Sequence, residues 1–284
     1  MGTLYLVATP IGNLQDISLR AIQLLKEVRL IAAEDTRHTG RLLAHFDIHT
    51  PLTSYHDHNK TGKLPDLLAA LGEGDLALVS DAGTPGLNDP GYELVRAAVS
   101  AGFPVSPVPG PSAPVAALTV SGLPSDAFLY LGYLPRKAKE RRALLEEVAG
   151  YPYTLIFLET PHRLLEALAD LSQVLGERQA AVARELTKLH EEIYRGSLVE
   201  ALRYFEAQPP RGEITLVVAG QAGRKVVWDE AQLNDSIRQS LAQGEPAAQA
   251  AARLAVLSGR PRREIYRLFL AQAGQNEDDY EPVA

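Results

Sequence analysis

The sequence has no cysteine in its 284 residues. Disulfides, thiolate metal sites and a cysteine nucleophile are excluded in one step. No apolar run approaches the ~20 residues that a membrane-spanning helix needs, so no membrane association is expected. The opening Met1-Gly2-Thr3-Leu4 has no basic region followed by a long apolar segment. No secretory signal is therefore expected, and a cytoplasmic location fits. The phosphate loop G-x-x-x-x-G-K-[ST] does not occur. The turn after the first apolar run carries one glycine, Gly12, where a dinucleotide fingerprint needs G-x-G-x-x-G. ATP and NAD are thus poor ligands for this chain. Positive charge is also in deficit: 28 Lys and Arg face 35 Asp and Glu, a net charge of −7. That argues against a protein that coats nucleic acid non-specifically and leaves room for a local basic patch.

What is present is ordinary for a soluble globular protein, with 46% hydrophobic and 22% charged residues. The length accommodates two or three domains. Leu4-Tyr5-Leu6-Val7-Ala8 is the first expected strand, and Thr9-Pro10-Ile11-Gly12-Asn13 is the turn after it. A helix is expected over 18–28, where Leu19, Ile22, Leu25 and Val28 recur near helical spacing. Leu30-Ile31-Ala32-Ala33 is a second strand, ending in Glu34-Asp35-Thr36-Arg37-His38-Thr39. Helix capping accounts for Asp35 or Thr36 and leaves Glu34, Arg37 and His38 for a site. Ser54-Tyr55-His56-Asp57-His58-Asn59 offers His-x-His and a carboxylate. Its spacing matches no recurring metal motif, so a polar, substrate-facing loop is expected and no metal site.

The segment around which the chain is organised is Ser80-Asp81-Ala82-Gly83-Thr84-Pro85-Gly86-Leu87-Asn88-Asp89-Pro90-Gly91. It follows the apolar run Leu76-Ala77-Leu78-Val79 and precedes a helical pattern from about 92 to 101. Ordinary connections of this kind take about 2–6 residues, so a simple surface turn is the weaker reading. In open α/β sheets, ligands bind outside the carboxyl ends of strands. Asp81 is placed to receive a ligand's hydroxyl or amine, and Ala82 and Gly83 leave room for close backbone approach. A strand from Val105 ends in Pro109-Gly110-Pro111-Ser112-Ala113, with Ser112 opening a helix to about 121 whose first amides can bind a carboxylate. No G-x-S-x-G elbow or triad is present.

A boundary falls at Leu123-Pro124-Ser125-Asp126, and a second α/β series follows. Its strands are expected at 128–132, 154–158, 180–183 and 214–218. Arg136, Lys137, Lys139, Arg141 and Arg142 crowd the first turns of one helix. The helix dipole favours anions there, so this cationic cluster reads either as a phosphate-contacting patch or as a solvated basic face. The tail reads as three helices over 229–242, 246–257 and 262–273. The last two, joined by Ser258-Gly259-Arg260-Pro261 and carrying Arg262, Arg263 and Arg267, are either helix-turn-helix-like or a plain packing module. Residues 276–284 read as an acidic, frayed tail.

Together, Ser80-Asp81-Ala82-Gly83-Thr84-Pro85, Ala33-Glu34-Asp35-Thr36-Arg37, Ala8-Thr9-Pro10-Ile11-Gly12-Asn13 and Pro109-Gly110-Pro111-Ser112-Ala113 resemble the ribosomal RNA small subunit methyltransferase I family. That family belongs to the tetrapyrrole-methylase-like methyltransferases. The similarity continues through Leu134-Pro135-Arg136-Lys137, Glu159-Thr160-Pro161-His162-Arg163 and Ala183-Arg184-Glu185-Leu186-Thr187-Lys188. One departure is visible: the family commonly has Ser-Asp-Pro-Gly where this chain has Asn88-Asp89-Pro90-Gly91.

The resemblance implies an α/β fold with two domains of the tetrapyrrole methylase type, a donor-binding cleft between them, and a small C-terminal helical module. The corresponding domains are 1–122, 123–224 and 225–284. It implies S-adenosyl-L-methionine as methyl donor and a homodimer. It also implies transfer to a cytidine ribose 2′-hydroxyl near the decoding centre of small-subunit ribosomal RNA, naked or in the assembled subunit. Donor contacts are then expected from Ser80, Asp81, Ala82, Gly83, Thr84, Ser112 and Ala113, with Pro10 and Gly12 bordering the site and Leu158 and Ala183 closing it. Glu34, Asp35, Arg37 and Glu159 are the candidates for handling the target ribose. Arg136, Lys137, Lys139, Arg141, Arg142, Arg262, Arg263 and Arg267 are expected to meet RNA. The rival readings are a tetrapyrrole or protein methylase of the same fold, and a non-catalytic nucleic-acid-binding regulator.

Overall fold

Alternating side chains along five short strands build the first layer. In this computed structural model, which describes residues 2–221 and 228–278, β1 (Leu4–Val7), β2 (Leu30–Ala33), β3 (Leu52–Ser54), β4 (Leu76–Val79) and β5 (Val105–Val108) form a parallel sheet. The strand order is β3-β2-β4-β1-β5. Val7, Ile31, Ala33, Ala77, Val79 and Val108 share a cluster with Ala21 and Leu25 of α1 (Leu19–Glu27) and Leu42 and Leu43 of α2 (Thr36–His45). Leu4, Ala32, Leu76 and Leu78 pack instead with Leu67 and Leu71 of α3 (Lys60–Glu73) and Leu94 and Ala98 of α4 (Tyr92–Ser100). The period of two along each strand thus divides its side chains between two helical layers. Pro107 is tolerated in β5 because that strand lies at the sheet's edge. Parallel pairing brings the loops after β1, β2, β4 and β5 to one edge of the sheet.

The second sheet contains β6 (Phe128–Tyr133), β7 (Thr154–Glu159), β8 (Gln179–Arg184), β9 (Glu192–Ser197) and β10 (Ile214–Val218), in the order β6-β7-β10-β8-β9. Only β6 and β7 run parallel; β10 is antiparallel to both neighbours, and β8 to β9. The helix opened by Ser112, α5 (Ala113–Ser121), buries Ala117 and Leu118 against Ile156, Ala181, Ala183 and Val217 of this sheet. It was expected to close the first half, yet it covers the second. Helices α6 (Ala138–Val148), α7 (Leu164–Leu175) and α8 (Leu198–Ala207) complete this half, and α7 packs on α8. Both sheets belong to one compact unit, residues 1–146 and 154–219.

Four elements had no clear sequence signal. β3 has three residues, and β9 is a polar edge strand. α3 contains Pro65 and two internal glycines, Gly62 and Gly72, which depress helix propensity. α8 opens on Ser197, whose hydroxyl accepts from the Glu200 amide at 3.2 Å while the Glu200 carboxylate accepts from the Ser197 amide at 2.7 Å. Removing this capping box with Ser197→Ala should destabilise the protein by about 1 kcal/mol in denaturant unfolding. An unchanged midpoint would show that the cap contributes nothing.

The second compact unit holds residues 147–153 and the C-terminal helices. Leu233 and Ile237 of α9 (Glu230–Ala242), Ala250, Ala251 and Leu254 of α10 (Ala247–Ser258), and Ile265 and Phe269 of α11 (Arg262–Asp278) form its core. Gly259 ends α10 in the left-handed region, with φ 67°. α11 runs five residues past the expected end at 273, so the tail expected from 276 begins within it; 279–284 lie outside the described residues. The boundary expected at 224/225 also lies outside them. No helix among the described residues is long and apolar enough to cross a membrane.

Candidate active site

The three loops singled out by sequence are fastened to one another. Thr9 and Gly83 form an antiparallel bridge, with amide-to-carbonyl distances of 2.9 and 3.0 Å. The Thr9 hydroxyl donates to the Ser80 carbonyl at 3.1 Å, and the Thr84 hydroxyl to the Pro111 carbonyl at 3.2 Å. Gly83 has φ 81°, a conformation costly for other residues. Gly12 answers to a different constraint: a Cβ there would lie 2.4 Å from Lys188 Cγ and 2.9 Å from the Leu186 carbonyl. The turn after β1 therefore lies flush against the loop after β8.

These loops form one wall of a cavity of about 320 Å³. Glu34, residues 81–84, Leu87, Asn88, Asp89, Ser112 and Ala113 line it from the first half. Tyr130, Tyr133, Leu158, Glu159, Thr160 and residues 212–215 line it from the second. Its volume falls at the lower end of the ~300–1,000 Å³ typical of small-molecule sites. Among the described residues, none that lines it is Lys, Arg or His, whereas Glu34, Asp81, Asp89, Glu159 and Glu213 all do. An acid-walled cleft of this kind selects for cationic ligands.

The carboxylates are not equivalent. Asp81 Oδ1 accepts from the Asp35 amide at 3.0 Å, and Glu34 Oε2 from the Asp81 amide at 3.5 Å, so backbone donors fasten this pair. Burial, then the Asp81 charge, pushes the Glu34 carboxyl up. Burial raises Asp89 to about 6, assisted by the charges of Glu34 and Asp81. Burial, with the nearby Asp89, also lifts Tyr130 to about 12, and its hydroxyl donates to Asn88 Oδ1 at 2.6 Å. Asn88 has φ 65°, a left-handed conformation that Asn tolerates well. At the end of the cleft formed by α5, Ser112 makes no side-chain capping bond, so its hydroxyl does not occupy the helix's first amides.

Of the residues expected in the site, Glu34, Asp81, Ala82, Gly83, Thr84, Ser112, Ala113, Leu158 and Glu159 come together around the cavity. Ala183 lines a small adjoining cavity with Ile11, Ala113 and Thr215. Ser80 is buried and shapes the loop, and Pro10 is absent from the cavity lining. Asp35 caps α2 and ion-pairs with Arg37 at 2.8 Å, which holds its carboxyl well below the usual range. Arg37 is itself 87% exposed, and neither residue lines the cavity. The Glu159 side chain is 0% exposed, 3.2 Å from Arg163, and accepts from the Thr160 amide at 2.8 Å. Its polar atoms thus brace the loop after β7.

Sequence reasoning missed Asn88, Asp89, Tyr130, Tyr133 and Thr215. Asp89 lay within the recognised loop, and its acidity was the available signal. Tyr130 and Tyr133 are three apart, which in a regular strand places them on opposite faces. A register shift between them, with Gly132 at φ 65°, turns both toward the cavity.

The cationic cluster divides. Arg136, Lys137 and Lys139 are exposed, although Lys137 pairs with Glu140 at 3.0 Å. Arg141 does not belong to the surface: it is 2% exposed and ion-pairs with Asp170 at 2.6 Å, correcting its expected role toward RNA. Arg142 is half exposed and also pairs with Asp170, at 2.7 Å. A second cavity of about 350 Å³, lined by Arg136, Thr160, His162, Arg163 and Glu166, shares Thr160 with the first. Arg262, Arg263 and Arg267 are exposed on α11, within the separate helical unit. No group of three or more His, Asp or Glu among the described residues is arranged to hold a metal ion.

Residues 3–202 match the model of the tetrapyrrole (corrin/porphyrin) methylases. A uroporphyrin-III C-methyltransferase structure from Thermus thermophilus, complexed with S-adenosyl homocysteine, aligns with TM-score 0.53 at 21% identity, covering 78% of this chain and 98% of that one. Likeness at that identity speaks to the fold. The ribosomal RNA small subunit methyltransferase I of Synechocystis sp. is 51% identical over 273 residues, 95% of this chain and 98% of that protein. The protein of the same name from Halalkalibacterium halodurans is 47% identical over 94% of each chain. Identity of that level over nearly the whole of both chains shows that the chain belongs to the ribosomal RNA small subunit methyltransferase I family of the tetrapyrrole methylase fold.

Proposed function

We propose that this protein transfers a methyl group from S-adenosyl-L-methionine to the ribose 2′-hydroxyl of a cytidine in small-subunit ribosomal RNA, near the decoding centre. The observation that carries the proposal is the cleft, walled by carboxylates and bordered by a helix start with no side-chain cap. The donor fits it: its sulfonium and ammonium suit the acidic wall, and its carboxylate suits the first amides of α5. When bound, it supplies a methyl group already activated by positive sulfur.

The protein's own residues bind and orient. Asp81, fixed by the Asp35 amide, holds the cationic end, and residues 82–84 let the donor lie against backbone. Ile11, Ala113, Leu158 and Ala183 provide apolar surface. Holding the hydroxyl in line with the methyl carbon can contribute ~7–11 kcal/mol toward the barrier. Arg37 and Asp35 hold the turn that positions Glu34 and Asp81, and Glu159 holds the loop that joins the two cavities.

RNA approaches from the side of Arg136, Lys137 and Lys139, whose neighbouring cavity borders the cleft at Thr160. Reversing all three to Glu should weaken RNA binding at least about tenfold and flatten its salt dependence, while donor affinity stays unchanged. Unaltered RNA binding would reduce the patch to a solvated face. The C-terminal helices α9 to α11 add Arg262, Arg263 and Arg267 to the RNA surface. The active form is a cytoplasmic homodimer. A tetrapyrrole or protein methylase and a non-catalytic regulator are less well supported, because relatives named for ribosomal RNA methylation match 94–95% of the chain. Incubation with labelled donor and unmodified small ribosomal subunits should place label on RNA. Measurable donor binding with no labelled RNA would contradict the proposal.

A further inference from the structure

Ribose methylation releases a proton, and the carboxylates of the cleft are unequally free to take it. Asp81 and Glu34 are each fastened by a backbone amide, at 3.0 and 3.5 Å. Asp89 stands apart on the far limb of the same loop, where it lines the cavity, and among the described residues no backbone amide donates to its carboxylate as one does to Asp81 and Glu34. Its polar neighbour is the Ser80 hydroxyl. Sharing the cavity wall with it are Glu34 at the end of β2, Asp81 at the end of β4, and Tyr130 and Tyr133 on β6, while Asp57 after β3 adds its charge from outside the cavity. His56 adds a ring near Glu34.

From this placement we infer that Asp89 is the general base that accepts the ribose 2′-hydroxyl proton. The inference rests on the ribose-methylation reading above. The hydroxyl oxygen bonds to the methyl carbon as the carbon–sulfur bond breaks toward sulfur. The hydroxyl proton passes to the Asp89 carboxylate and from there to water, so charge and atoms balance. Tyr130, raised to about 12, stays protonated and holds Asn88, the residue before the base. Burial and the neighbouring carboxylates raise the Asp89 carboxyl to about 6, so it is ionised at neutral pH yet more basic than an exposed aspartate.

The test compares wild type with Asp89→Asn and Asp89→Glu. Donor affinity is measured by calorimetry, RNA affinity by filter binding, and single-turnover methylation from pH 5 to 9. Wild-type methylation of RNA checks the underlying reading, and its failure would overturn both. Given that activity, the wild-type rate should fall on the acid side with a midpoint near 6. Asp89→Asn should lose about 100-fold in rate at saturating donor and RNA, together with that acid limb. Asp89→Glu should recover part of the rate. Carbon-13 spectra of aspartate-labelled protein should show a carboxyl titrating near 6 that vanishes in Asp89→Asn, a readout independent of turnover. A saturating rate within threefold of wild type, or an acid limb that persists in Asp89→Asn, would overturn the assignment.

Discussion

Replacing Asp81 with alanine lowers the affinity for S-adenosyl-L-methionine by about 100-fold or more. The side chain lies at the end of β4 on the wall of a cavity whose described lining includes no cationic residue. Its Oδ1 is held by the Asp35 amide at 3.0 Å, so little ordering remains to be done on binding. Truncating one partner of a desolvated charge pair costs about 2–5 kcal/mol, and about 2.7 kcal/mol is already a hundredfold. Asp81→Asn keeps an acceptor for the Asp35 amide and removes the charge, so its loss should be smaller. Titration calorimetry on both variants, with thermal unfolding as the control for folding, separates charge from loop shape. Affinity retained in both would remove Asp81 from the donor site.

The largest loss of stability is expected from Asp170→Ala, about 3–5 kcal/mol in denaturant unfolding. Asp170 is 5% exposed and accepts from Arg141 at 2.6 Å and from Arg142 at 2.7 Å. Arg141 has its guanidinium buried, with the carbonyls of Pro135 and Arg136 each at 3.3 Å as its neutral partners. Without Asp170 it becomes a buried charge with only the distant Glu166, at 3.6 Å, to offset it. Arg142→Ala removes a half-exposed partner and should cost about 1 kcal/mol or less. The pH dependence has a definite sign. Burial pushes the Asp170 carboxyl up, but hydrogen bonds from Arg142 and Arg141 outweigh it, and the folded value lies below the ordinary one. The stabilisation is therefore present above the unfolded value of about 4 and is lost as pH falls through the folded value. The gap between wild type and Asp170→Ala should narrow in acid; a gap independent of pH would show that packing, not charge, sets it.

This ion pair also marks a limit of sequence reading. Arg141 stands among four other cations within seven residues, and its partner lies 29 positions further on. Nothing local distinguishes a buried arginine from its exposed neighbours. The loops were legible for the opposite reason. A fully buried run, Leu76–Val79, breaks abruptly into glycine, proline and aspartate, and local chemistry alone determines that break. Glu34 and Asp81 could be placed at strand ends because parallel strands end on one side. Glu159 could be placed there too, but its burial beneath Arg163 depends on the fold. Tyr130 and Tyr133 were hidden by a bulge that changes the strand's period. The helix α5 is apolar on most of its surface, so its pattern did not say which sheet it would cover.

A ribose-directed methyl transfer in the cleft leaves a mark in its product that tests the proposed function directly. Small ribosomal subunits lacking the modification are treated with the protein and methyl-labelled donor, and the RNA is hydrolysed in alkali. A free 2′-hydroxyl is required for that cleavage, so methylation at this oxygen leaves an uncleaved bond. Label is expected in an alkali-resistant dinucleotide beginning with cytidine, and none with Asp81→Ala. Label released as an alkali-sensitive mononucleotide would place the methyl on a base and contradict it.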